Sequence, residues 1–319
     1  MIPIAITREI PMRTSLLVLF AMVAIAPARA AEPEYVEDDA VLKSFTEKLG
    51  ALAKKGKCLA PAKLKELTAK DSTAKLASAK PNAKVLSPEE LAASIKPSVF
   101  IVGSVSLENG EYVDGRMATA WVLGSDGVLV TNWHVFDEIG DDEYFGATNA
   151  TGEVFPITGV LARDKAADIA IVRIGTKGLT PLPVATSPAK IGSWVGVLGH
   201  PGDRYYSFTQ GHVTRYTKYK NDDDELAKWM AIGADYAYGS SGSPVVDRFG
   251  HVVGMAALTE NIDYPDEGDK AANTVARKRM LKLRKKADDK PKTAPSALQM
   301  VVKLTVPAAE MLRVMGAGE

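Results

Sequence analysis

From Ser98 onward the chain breaks into short β-rich runs separated by glycine turns, and that rhythm leaves few folds open to it. Val99-Phe100-Ile101-Val102, Ala120-Trp121-Val122-Leu123, Val128-Leu129-Val130-Thr131 and Ile169-Ala170-Ile171-Val172 come first, punctuated by Asn109-Gly110 and Ser125-Asp126-Gly127. Trp194–Leu198, His212–Thr214, Met230–Ile232, Pro244–Val246, His251–Gly254 and Met300–Leu304 continue the series. Many short strands at close spacing argue for an all-β sandwich or barrel. No helical pattern of ten to fifteen residues intervenes regularly, which disfavours a doubly wound α/β fold.

The region before Ser98 has a different grammar. Arg13 precedes an apolar run from Leu16 to Ala26, and Ala28 and Ala30 fit a small-residue cleavage site. Residues 1–30 therefore read as a secretory signal peptide, with Met12 as an alternative initiator, and the run is too short to span a bilayer. Residues 31–96 are dominated by Ala, Lys, Leu and Glu. Val41, Leu42, Phe45, Leu49 and Leu52 recur at helical spacing. Ser87-Pro88-Glu89-Glu90 supplies a cap, an N1 proline and early acids for a short helix that should end before Pro97. Between these, Lys65–Lys84 reads as a linker or frayed helix whose lysines form a solvated face or grip an anionic partner. Pro307–Arg313 reads as a closing helix.

Charge gives little away, because 39 Lys and Arg balance 39 Asp and Glu, and removing residues 1–30 leaves a net −2. Its distribution is less even. Glu260–Asp269 carries five acids and Lys270–Lys292 ten Lys or Arg. These blocks suggest a charged insertion at about 260–297, partly helical through Arg277–Lys286, either solvated or able to hold an anionic partner at 270–292. Asp222–Glu225 reads as a solvated turn lacking the spacing of a calcium loop. A single cysteine, Cys58, excludes an intrachain disulfide and a cysteine-based zinc site. Neither a metal nor an organic cofactor is implied.

Chemistry has few residues to choose from. Gly239-Ser240-Ser241-Gly242-Ser243-Pro244 sets a serine between glycines just before a β-run, a turn able to aim the amides of Gly239 and Ser241 at a developing oxyanion. By itself such a turn is only a turn. Four histidines exist, and His134 ends a β-run in Thr131-Asn132-Trp133-His134-Val135. Asp168 opens the apolar run Ile169–Val172, where a carboxylate is costly to bury unless paired, and an imidazole N–H is a suitable partner. Asp164 competes, but stands between Arg163 and Lys165 and reads as solvated. His200, before Pro201-Gly202, reads as a turn residue; His212 and His251 begin β-runs without metal-ligand spacing.

Taken together, in the order His134, Asp168, Ser241, these pieces resemble the trypsin-like (chymotrypsin-fold) serine peptidases, closest to their bacterial HtrA-type branch. Leu198–Gly202 and Thr209–Val213 are similar to the strand-turn-strand preceding the nucleophile in that branch. The likeness covers about residues 95–260 and 298–315. It implies two packed six-stranded β-barrels behind an N-terminal helical extension, with a protease domain over 97–319. It also implies a Ser-His-Asp triad forming an acyl-enzyme, an oxyanion hole at Gly239 and Ser241, polypeptide substrates, and a periplasmic or secreted location.

The departures are specific. Ser240 precedes the nucleophile, so no carboxylate waits for a freed amino terminus, and Ile101-Val102-Gly103 reads as a first strand rather than an activation site. Asp235 lies six residues before Ser241, where trypsin-type enzymes carry the acid that selects Arg or Lys; the pocket wall, however, reads Met255-Ala256-Ala257 rather than glycines. Both a cation-selecting and a narrowed pocket stay open. No PDZ module is expected after the closing helix. The alternatives to a peptidase are a catalytically silent binding module and an esterase of small acyl substrates.

Overall fold

A strand buried on one face and packed on the other must alternate its side chains, and Val99–Val105 does so with every residue buried. Phe100 and Val102 enter one core cluster while Val99 enters another, so the strand separates two cores. The computed structural model describes residues 33–220, 226–263 and 298–316. The signal peptide, the acidic run 222–225 and the charged insertion beyond Asp263 lie outside the described residues.

Twelve strands form two closed barrels. The first contains β1 (Val99–Glu108), β2 (Glu111–Gly124), β3 (Val128–Thr131), β4 (Glu143–Thr148), β5 (Val154–Asp164) and β6 (Ile169–Ile174), in the order β1-β2-β3-β6-β5-β4. The second contains β7 (Trp194–Gly199), β8 (Ser207–Lys220), β9 (Leu226–Ile232), β10 (Pro244–Val246), β11 (Val252–Asp263) and β12 (Leu298–Pro307), with the same relative order. Closure pairs β1 with β4 and β7 with β10, which leaves no open sheet edge. The all-β, two-barrel expectation is met. One boundary moves, because β11 pairs with β12 out to Asp263, so residues 260–263 are strand rather than insertion.

Each barrel has its own core. Phe100, Val122, Leu129, Phe145 and Val172 fill the first, and Val195, Val213, Met230, Ile232 and Val245 the second. Between them, Trp121, Val130 and Ile171 meet Leu198, Met255 and Val306 in a shared interface.

The N-terminal region packs on these barrels rather than trailing from them. Phe45 and Leu49 of α1 (Asp38–Lys54) are buried with Val105, against Tyr112 and Met117. Leu64 of α2 (Pro61–Leu67) joins the first barrel's core. Leu91 and Ile95 of α3 (Pro88–Ile95) enter the inter-barrel core, and Ser87 and Glu90 form the capping box. The closing helix, α4, is Ala308–Val314, with Pro307 as its cap. Of Lys65–Lys84 the start belongs to α2, and the stretch from Asp71 is an extended strap and not a frayed helix, because its amides find partners on the first barrel and at the end of the closing helix. Among the described residues no helix is long and apolar enough to cross a membrane.

Candidate active site

Three turns bring His134, Asp168 and Ser241 together. His134 sits in the 3-10 turn Trp133–Phe136 that follows β3. Asp168 ends the four-residue turn joining β5 to β6, whose last ladder pair is Asp164 with Ile169. Its φ of +57° is left-handed, a conformation that Asp tolerates better than most residues and that the surrounding hydrogen bonds must hold. Ser241 lies in the loop before β10.

Their side chains form one chain of hydrogen bonds. His134 Nδ1 is 2.8 Å from Asp168 Oδ2 and 3.1 Å from Oδ1, and His134 Nε2 is 2.8 Å from Ser241 Oγ. The His134 backbone amide also donates to Asp168 Oδ1 (2.9 Å), and Asn132 Nδ2 donates to the Asp168 carbonyl (2.9 Å). The Asp168 carboxylate is only 6% exposed, so these donors offset a desolvation that would otherwise favour its neutral form. With an acidic partner on Nδ1, the imidazole is fixed with Nδ1 protonated and Nε2 free to accept.

Ser241 is presented by backbone geometry that only glycine permits. Gly242 has φ +89°, and a Cβ there would lie 1.9 Å from the Thr119 carbonyl oxygen. Gly239 has φ +84° and a Cβ would meet the His200 carbonyl at 2.4 Å. Among the described residues the amides of Gly239 and Ser241 donate to no backbone carbonyl.

Sequence reasoning missed Thr119. From β2 of the first barrel, its amide donates to the Ser241 carbonyl (2.8 Å) and its hydroxyl to the Gly239 carbonyl (3.0 Å), while its own carbonyl accepts from Thr131 Oγ1 (2.7 Å). The Ser241 loop of one barrel is thereby pinned to the other. A lone threonine inside the buried run Ala118–Leu123 was the available signal, since a buried hydroxyl needs a partner.

Of the residues expected near a specificity pocket, Met255 and Ala257 pack in the inter-barrel core and Ala256 in the second barrel, as strand alternation requires. Asp235 is exposed, and its charge acts on the Lys303 ammonium, which donates to the Tyr236 carbonyl. Tyr236 itself is buried, with its hydroxyl donating to the Leu304 carbonyl (2.6 Å) beside that of Leu258. Asp164 also differs from expectation. It is not solvated; Arg313 Nη2 (2.6 Å) and the Ala167 amide (2.8 Å) hold its carboxylate away from His134.

His200 is fully buried, accepts from the Tyr206 amide on Nδ1 (3.0 Å), and is pushed down to a pKa of about 3 by desolvation. Its native pKa lies below the unfolded value of about 6.5, so the unfolded chain takes up a proton that the folded chain refuses. The contribution of His200 to stability is therefore fully present above about pH 6.5 and is lost as pH falls toward 3. NMR titration should find no change in the His200 ring signals between about pH 5 and 8, and movement there would contradict this burial. Cys58 is half-buried and its thiol is pushed up to about 11, so little thiolate forms near neutrality.

Comparison with known proteins agrees with this geometry. Residues 118–255 match the family described as "Trypsin-like peptidase domain". Serine protease Rv3671c of Mycobacterium tuberculosis is 29% identical over 173 residues, covering 51% of this chain and 40% of that protein. A probable periplasmic serine endoprotease DegP-like of Chlamydia pneumoniae is 26% identical over 138 residues, 43% of this chain and 28% of its own length. Human serine protease HTRA4 is 26% identical over 214 residues, 65% of this chain and 44% of that protein. The chain thus spans less than half the length of these relatives. The crystal structure titled "Rv3671c protease, inactive form" aligns with a TM-score of 0.50 at 21% identity, over 76% of this chain and 98% of that one, which shows a shared fold.

Proposed function

We propose that the chain is an exported serine endopeptidase working through Ser241, His134 and Asp168, because residues 118–255 match the trypsin-like peptidase domain and its relatives include serine protease Rv3671c, a DegP-like serine endoprotease and serine protease HTRA4. The observation that carries this reading is the unbroken path from Asp168 through both His134 nitrogens to Ser241 Oγ, each link 2.8 Å. Such a path has one chemical use that a binding cleft does not need, which is moving a proton off a hydroxyl.

In the proposed mechanism His134 Nε2 takes the Ser241 proton as Oγ attacks the scissile carbonyl, and Asp168 stabilises the imidazolium that forms. The carbonyl oxygen becomes negative and is received by the amides of Gly239 and Ser241, each worth about 3 kcal/mol in the transition state. His134 Nε2–H then protonates the leaving amine, an acyl-enzyme remains on Ser241, and water attacks it with His134 acting again as base. Export rests on Arg13, the apolar run Leu16–Ala26 and the Ala28/Ala30 site, and the name of the Chlamydia relative is consistent with a periplasmic location.

The test is reaction of the purified chain with a fluorophosphonate probe, peptide mapping of the adduct, and casein digestion in parallel. An adduct on Ser241 with casein cleavage is the expected result. A folded protein that neither labels nor cuts casein would overturn the proposal, and labelling without any protein cleavage would move it to an esterase.

A further inference from the structure

Asp71 and Ser72 begin the strap that follows α2, and they clip onto the hairpin that carries Asp168. Ser72 forms a two-way backbone bridge with Arg163 of β5, its amide donating to the Arg163 carbonyl (2.9 Å) and its carbonyl accepting from the Arg163 amide (3.1 Å). Asp71 Oδ1 accepts from the Lys165 amide (2.9 Å) and lies 3.4 Å from Arg163 Nη2. Lys165 is the first residue of the turn, and its carbonyl accepts from the Asp168 amide (3.2 Å). One side chain from the N-terminal region thus caps the start of the turn whose end is the left-handed Asp168.

The same residues touch the other half of the pair. The Arg163 guanidinium lies over the Trp133 ring at 5.3 Å and the Lys165 ammonium at 5.6 Å, and Trp133 is the neighbour of His134. The charged groups around the turn are therefore Asp71, Arg163, Asp164, Lys165 and Arg313, with Arg313 holding Asp164 from the closing helix. Beyond Ser72 the strap is pinned along its length. Ala74 and Leu76 donate to the carbonyls of Val314 and Met315, Ser78 accepts from Val184 between the barrels, and Asn82 bonds His251 and Phe249 in the second barrel. Asp71 is consequently anchored on a belt that spans both barrels, not on a loose end.

From this arrangement we infer that Asp71 is a positioning residue for the peptidase reaction, holding the β5–β6 turn so that the Asp168 carboxylate stays on His134 Nδ1. The inference rests on the proposed function for its kinetic consequence, and on geometry alone for its structural one. A positioning contact acts on the aligned state rather than on substrate binding, and misplacement of the order of 1 Å can cost up to about 100-fold in rate.

The test compares the full chain with Asp71→Ala and Asp71→Asn, using a peptide substrate and rates normalised to the fraction of sites that react with a fluorophosphonate. Asp71→Ala should lower kcat about 10-fold with KM within about twofold. Asp71→Asn keeps an acceptor oxygen for the Lys165 amide and should recover most of that loss. If Asp71→Ala does not fold, Asp71→Glu, which keeps the charge but moves the acceptor by one methylene, carries the same expected fall in kcat. An unchanged normalised kcat, a loss confined to KM, or an Asn variant as impaired as Ala would each overturn the inference. Should the wild-type chain prove inactive, the His134 Nδ1–H proton resonance decides instead. It should be present far downfield in the wild type and Asp71→Asn, and shifted or lost in Asp71→Ala; an identical signal in all three overturns the positioning role without bearing on the function.

Discussion

Ser241→Ala is expected to lower kcat by on the order of 10⁶-fold while leaving the fold intact. Among the described residues the Ser241 hydroxyl has a single partner, His134 Nε2, and its backbone carbonyl keeps the bond from the Thr119 amide whatever the side chain. Removing Oγ therefore removes the nucleophile and little else. The loop conformation is set by Gly239 and Gly242, so alanine at 241 meets no new strain. Thermal unfolding should shift by no more than a few degrees, fluorophosphonate labelling should vanish, and casein hydrolysis should fall to the background of the preparation. His134→Ala should cost nearly as much, and the double variant little more, because a nucleophile without its base and a base without its nucleophile are equally idle. A Ser241→Ala protein that retained more than about one part in a thousand of the wild-type rate would assign the chemistry to another residue.

Asp168→Asn is expected to cost about 10⁴-fold in kcat near neutral pH. The carboxylate accepts both the His134 Nδ1–H and the His134 amide, so it sets the ring's position and its tautomer together. An asparagine can keep its carbonyl oxygen on the amide, but its NH₂ then faces Nδ1, which must turn acceptor. The ring proton moves to Nε2, and the Ser241 hydroxyl loses its base. Geometry is preserved and chemistry is not, so probe labelling should slow by a comparable factor while stability changes little. A loss of under tenfold would mean that Asp168 is a structural partner of His134 and that the tautomer is fixed by something else. Asp164 is not the substitute, since Arg313 and the Ala167 amide already occupy its carboxylate.

The strand rhythm after Ser98 made an all-β sandwich or barrel legible, because a strand that must bury one or both faces shows its period and its punctuation locally, while the division into two barrels came only from the resemblance to the trypsin-like peptidases. The three candidate residues stood out for a different reason. His134, Asp168 and Ser241 each sit beside a glycine turn or at the mouth of an apolar strand, positions where a polar side chain demands an explanation. The Ser87–Glu90 capping box was equally readable, since a helix start is written within four residues. The pocket was not. Asp235 was placed by its offset from Ser241, yet offset says nothing of which way a side chain turns, and Tyr236 rather than Asp235 is the one buried there.

The sequence by itself determined the β-rich character, the three turns that carry His134, Asp168 and Ser241, and the capped helix before Val99, because each is encoded among near neighbours. Only the tertiary structure decided that Thr119 ties the Ser241 loop to the other barrel, that Asp164 is taken by Arg313, and that Asp71 reaches the turn of Asp168. These bonds join residues between about 90 and 150 positions apart. The side chains involved are ordinary polar residues in isolation. What singles them out is the partner that folding brings within 3 Å, and a buried or half-buried polar group is satisfied by whichever partner arrives.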